Sequence, residues 1–142
     1  PWLITIGNDV TISTGVKLLA HDASTLLTKS HTKVGIVRIG NNVFIGAGTV
    51  VLCDTRIGDN VVIGANSVVT HDLPSNGVYA GNPAKRICSF DEYKEKHNLA
   101  LETHRYFTER WWDEWKNATP EEWEMMRLEL AETWGYVGEK KA

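Results

Sequence analysis

Cysteine is scarce in this sequence: Cys53 and Cys88 are the only two in 142 residues. They stand far apart with no CxxC spacing, which excludes a disulfide framework and a zinc knuckle and favours a reducing, cytoplasmic setting. No run of apolar residues is long enough to span a membrane, and no stretch reads as a signal peptide. The chain opens at Pro1-Trp2-Leu3-Ile4 with no Met, already inside a repeat, so a start, a cap or an earlier coil is expected upstream. A net charge of −3 leaves no broad basic surface, which argues against a nucleic-acid partner.

What the chain does have is a six-residue beat. Ile6, Ile12 and Leu18, then Ile39, Ile45, Val51, Ile57, Ile63 and Val69, each place an aliphatic residue six positions after the last, with one break. A longer period sits on top: moving Ile39-Gly40-Asn41-Asn42-Val43 by eighteen residues lands on Ile57-Gly58-Asp59-Asn60-Val61. Repetition at so short a period marks a solenoid, and hexapeptide units mark a parallel β-helix. Three six-residue sides make a triangular coil, each side a short strand sending its aliphatic residue into a narrow prism. Gly after the aliphatic position, and Asn or Asp at the corners, suit close backbone approach and positive φ.

The beat fails between Leu18 and Ile39. The polar insertion there, taken as about residues 22–37, is long enough to suggest function rather than filler. Residues 1–88 read as the solenoid, with two clean coils from Val37 to Pro74. The turn-rich stretch Leu73 to Lys85 is expected to end it. From Ser89 the grammar becomes helical: Ser89-Phe90-Asp91-Glu92 is a capping box, and Thr119-Pro120-Glu121-Glu122 is a second one with Pro at the first helical position. These signals predict helices reaching about Asn117 and Trp134, so residues 89–142 form an α-helical extension. Phe107, Trp111 and Trp115 would share one helical face, and Trp123, Leu130 and Trp134 another. Five of the six tryptophans fall in this tail, where aromatic stripes usually pack a core.

Several of these motifs resemble the hexapeptide-repeat acyltransferases. They are Ile39-Gly40-Asn41-Asn42-Val43-Phe44-Ile45-Gly46-Ala47-Gly48 and its partner from Ile57 to Ala65, then Ser67-Val68-Val69-Thr70 and Ala80-Gly81-Asn82-Pro83-Ala84-Lys85. The galactoside and maltose O-acetyltransferases, and those acting on capsule or lipopolysaccharide, are most similar, over roughly residues 3–88. The resemblance implies an all-β solenoid of left-handed parallel β-helix type, a homotrimer, and acetyl-CoA as co-substrate in a groove between subunits. It implies no metal. It also implies a single histidine as general base, matched here by His21. An imidazole titrates near working pH, which suits proton abstraction from a sugar hydroxyl. The alternative for His21 is a structural corner residue. Asp22 and Ser24 beside it are candidates for acceptor binding, and Asp22 for orienting the ring or simply forming a turn.

For the donor, Ala47 and Ala65 match positions that meet the cofactor through the backbone, and Thr70 matches another. His71 stands where relatives carry lysine, a departure that weakens a phosphate contact. Lys85 and Arg86 are candidates for the phosphates, or a solvated basic pair. Cys53 follows an aliphatic repeat position and reads as a buried, inert thiol. His31 reads as an exposed loop residue, and His97 and His104 as helical residues facing solvent or a partner.

The reading is therefore an O-acetyltransferase of sugars or polysaccharides, working by direct transfer in a ternary complex and serving polysaccharide biosynthesis. N-acetylation of an amino sugar is the alternative. Two further readings differ in class. One is a zinc-dependent carbonic anhydrase on the same prism, disfavoured because His21, His31 and His71 do not recur at coil spacing. The other is a non-catalytic scaffold binding a partner through its tryptophan-rich tail.

Overall fold

In strands of the form Val43-Phe44-Ile45, the first and third side chains point one way and the second the other, and burial follows that alternation. The computed structural model describes residues 2–107 and 118–137. Its chain divides into two units between Tyr93 and Lys94.

The first unit is a parallel solenoid with three faces. One face stacks Ile4–Ile6, Val37–Ile39 and Thr55–Ile57. The second stacks Val10–Ile12, Val43–Ile45, Val61–Ile63 and Gly77–Ala80. The third stacks Lys17–Leu18, Val50–Val51 and Val68–Val69. Neighbouring strands pair in parallel and in register, as Val37 with Thr55 and Val43 with Val61. The hydrogen bonds therefore run between coils. The isoleucines and valines of the beat, with valines standing two residues before them, fill the interior: Val37, Val43, Ile45, Val51, Ile57, Val61, Ile63 and Val69 are at most 2% exposed. In the first coil the inward residues are less covered, with Ile6 48% and Ile12 40% exposed.

Corner chemistry divides between two residue types. Asp9, Asn42, Asn60 and Asn76 occupy one corner in successive coils, all with φ between 53° and 59°. Their amides form a ladder, Asn42 Nδ2 donating to Asn60 Oδ1 at 2.7 Å and Asn60 Nδ2 to Asn76 Oδ1 at 2.9 Å. Glycine after the aliphatic residue serves close approach instead. A Cβ on Gly46 would lie 2.5 Å from the Ala65 nitrogen in the next coil.

The solenoid runs further than the turn-rich stretch suggested. Gly77–Ala80 continues the second face in parallel before Lys85–Ser89 folds back against it antiparallel. Ser89 then caps the helix Phe90–Thr103, its hydroxyl accepting from the Glu92 N–H at 3.1 Å.

The second unit corrects the all-helical reading of the tail. The helix ends at Thr103 rather than near Asn117, and Arg105–Phe107 is a strand paired in parallel with Gly135–Val137. Parallel pairing requires a crossover, and the helix Pro120–Glu129 lies within it. Its capping box is present, with Thr119 accepting from the Glu122 N–H and Glu122 from the Thr119 N–H. Phe107 is buried in its strand, and Trp134 lies past the helix end, so neither shares the helical face expected of it. Trp111 and Trp115 lie outside the described residues. His97 and His104 are half-buried and engaged within this unit: the first bonds the Tyr136 hydroxyl at 2.8 Å, and the second stacks on Trp134 at 3.9 Å.

Candidate active site

Coil-related partners are 33 residues apart between Asn8 and Asn41, but eighteen apart between Asn41 and Asp59. Fifteen residues are therefore inserted after the first coil. Leu19 still belongs to the solenoid, its N–H bonding the Val51 carbonyl at 2.9 Å. The chain returns at Gly35, whose N–H donates to the Ala20 carbonyl at 3.0 Å. The insertion is a structured arm: His21–Asp22 pairs antiparallel with Lys33–Val34, and the four-residue helix Leu26–Lys29 makes the reversal.

His21 stands at the root of this arm, opposite Val34, and is exposed. Its ring has no hydrogen-bond partner among the described residues. Asp22 is engaged locally. Its carboxylate accepts the Ser24 N–H at 2.9 Å. That bond and one from the Ser24 hydroxyl, with Lys33 and His21 nearby, hold its pKa below the ordinary carboxylate value. Asp22 and Ser24 thus form the turn into the arm together, and Asp22 is not bonded to the His21 ring.

The other predicted residues lie along two edges of the prism that flank its third face. Ala47 and Ala65 occupy one edge, exposed and one coil apart; neither N–H is bonded to the chain among the described residues. Thr70 and His71 occupy the other edge, where Leu19 and Leu52 hold the equivalent place in earlier coils. Their side chains touch, with Thr70 Oγ1 3.1 Å from His71 Nδ1. The arm bearing His21 leaves from this same edge. Between Ala65 and Thr70 the chain turns at Asn66, whose φ is 55°, and then runs along the short strand Val68–Val69. His21 lies two coils below His71, a rise of about 10 Å. Lys85 is exposed and pairs in register with Ala80 at the fold-back. Arg86 is exposed too, with Nη2 on the Asn76 carbonyl at 3.4 Å.

Cys53 is buried at 8% exposure, in line with the inert reading, and both cysteines are free. Among the described residues, no three His, Cys, Asp or Glu side chains gather as a metal site would require. Nor is any described helix long and apolar enough to cross a membrane. Sequence reasoning missed the arm's internal structure, for its strands are two residues long and carry no period.

Residues 36–71 match the family described as bacterial transferase hexapeptide (six repeats). Those residues are a hexapeptide repeat of that family's kind. Protein CapG of Staphylococcus aureus is 49% identical to this protein over 100 residues, 68% of this chain. Those residues are 58% of CapG, so the chain spans a little over half the length of that relative. Among solved structures, galactoside acetyltransferase in complex with coenzyme A is 39% identical with a TM-score of 0.58. It aligns over 65% of this chain and 48% of its own. AntD, an N-acyltransferase from Bacillus cereus solved with dTDP and coenzyme A, is 26% identical with a TM-score of 0.55. It aligns over 70% of this chain and 60% of its own. The hexapeptide-repeat chain thus shares its prism with proteins that hold coenzyme A.

Proposed function

We propose that this hexapeptide-repeat chain is an acetyl-CoA-dependent O-acetyltransferase acting on a sugar or polysaccharide hydroxyl, with His21 as general base. The observation that carries the reading is the placement of one unbonded, exposed imidazole on an arm rising from the edge that bears Thr70 and His71. Across the third face, the Ala47 and Ala65 N–H groups are open for the carbonyls of a pantetheine chain, and small side chains there leave room for it. Lys85, His71 and Arg86 offer positive or neutral donors for the phosphates. The prism is taken as left-handed, as the galactoside enzyme's likeness supports, and three copies together complete the donor groove. The two free cysteines fit a cytoplasmic setting.

In this reading a His21 ring nitrogen takes the proton of the acceptor hydroxyl as its oxygen bonds the thioester carbonyl carbon. The carbon–sulfur bond then breaks, and His21 returns the proton to the departing thiolate. Ester and thiol are the products, and no covalent bond to the protein forms. A positioned base supplies about 10²–10⁴-fold, and the shared cleft supplies proximity besides. A second reading, transfer to the amine of an amino sugar, is favoured by the likeness to AntD.

The test has two arms. Acetyl-CoA should raise the melting temperature, since a ligand bound only to the folded state stabilises it. His21→Ala should lower turnover by at least about a hundredfold with acetyl-CoA affinity nearly unchanged. Turnover preserved in that variant removes His21 from the mechanism. Absence of a donor-induced shift favours the scaffold reading instead.

A further inference from the structure

Thr25 sits at the N-cap position of the arm's short helix, where threonine ordinarily accepts a backbone N–H. Here it makes no such bond. Its hydroxyl reaches across the arm instead, donating to the His31 carbonyl at 2.5 Å and accepting the Lys33 N–H at 3.1 Å. The Asp22 carbonyl also lies within 3.3 Å. A hydroxyl has one proton, and the shorter contact takes it. One side chain thus joins the start of the arm's helix to the returning strand and to the segment that precedes it. It is half-buried in an arm whose other described side chains are exposed.

Among the described residues, the arm's other ties are local: the Asp22–Ser24 turn, the turns of its short helix and a short ladder. Its ladder consists of two residue pairs, His21 with Val34 and Asp22 with Lys33. A two-stranded hairpin of that length is marginal on its own. Lys33 is bonded through its N–H to Thr25 and is next to Val34, the cross-strand neighbour of His21.

We propose that Thr25 is a positioning residue whose hydroxyl locks the arm in register and so fixes where the His21 imidazole stands. The inference rests on His21 as the base. Misplacing a reacting group by about 1 Å costs on the order of a hundredfold in rate. Loss of the clasp therefore lowers kcat and leaves donor binding at Ala47 and Ala65 alone, on the opposite edge.

The experiment uses the full chain and three variants, Thr25→Val, Thr25→Ser and His21→Ala. Turnover is read as thiol release from acetyl-CoA with maltose, methyl galactoside and glucosamine as acceptors. Hydrogen exchange of the amides from 21 to 34 is read in parallel. Thr25→Val keeps the shape and loses the hydroxyl. It should speed exchange in the arm at least tenfold and lower kcat ten- to a hundredfold, with the KM for acetyl-CoA within about twofold. Thr25→Ser keeps the hydroxyl and should restore both to within about threefold. Unchanged exchange in Thr25→Val overturns the clasp. Fast exchange with normal kcat overturns the link to catalysis. A fully active His21→Ala sinks the base assignment, while exchange in Thr25→Val still reports on the clasp separately.

Discussion

Gly46→Ala tests the stacking of the prism most directly. Gly46 lies outside the left-handed backbone region, so an alanine there carries no conformational penalty. Through the unfolded chain alone, the change would stabilise by about 0.4–1 kcal/mol. Space decides otherwise. The new Cβ would sit 2.5 Å from the Ala65 nitrogen, 2.8 Å from its Cα and 2.8 Å from the Gly64 carbonyl carbon. These are backbone atoms of the next coil, so no rotamer change relieves the contact and the coils must separate locally. Overpacking of this kind costs about 1–3 kcal/mol or more, and the upper end applies because the Gly46 N–H bond to Ile63 is strained with it. With a net loss of about 2 kcal/mol and about 5 °C per kcal/mol for a unit of this size, the melting temperature should fall by roughly 10 °C. Gly15→Ala is the control. Its nearest neighbour would be 3.8 Å away, but φ is +75°, so it suffers strain without a clash and should cost about 1 kcal/mol. Thermal and urea melts of the two variants decide the matter. A Gly46→Ala protein as stable as the parent would refute the account of why glycine follows the aliphatic residue.

Thr55 is 2% exposed, and its hydroxyl is a buried polar atom with no partner among the described residues. Thr55→Val should therefore stabilise by about 1 kcal/mol in urea melts, and destabilisation would show that the hydroxyl is satisfied. The Glu92 carboxylate accepts from the Ser89 hydroxyl and N–H, which hold its pKa below the ordinary value. A depressed folded value means the cap is intact above the unfolded pKa and is lost as pH falls through the folded one. Amide exchange at Ser89 should thus stay slow, relative to the intrinsic rate, at pH 7 and lose protection only as pH falls below the ordinary carboxylate range. Glu92→Gln, which cannot ionise, should abolish that dependence. Light scattering should return three times the mass of one chain, and a stable monomer would count against a donor groove shared between copies.

The beat of aliphatic residues foretold the three faces, and its inward positions are the core that coordinates show from Val37 to Val69. Capping boxes at Ser89 and Thr119 were legible for a similar reason: they depend on residues three apart. The tail misled because Phe107 fits a helical stripe as readily as a strand, and its partner Val137 is thirty residues away. Ala47, Ala65 and Thr70, the candidates for donor binding, were placed by motif, yet only stacking shows that they fall on opposite edges of one face. The arm was visible just as a gap in the period. Its order comes from polar contacts between Thr25, His31 and Lys33, which no periodicity records. Periodic burial is a property of the chain read one residue after another, so sequence alone determined the prism. The site depends on groups brought together across coils and across an insertion, and only tertiary structure could decide where the His21 ring stands.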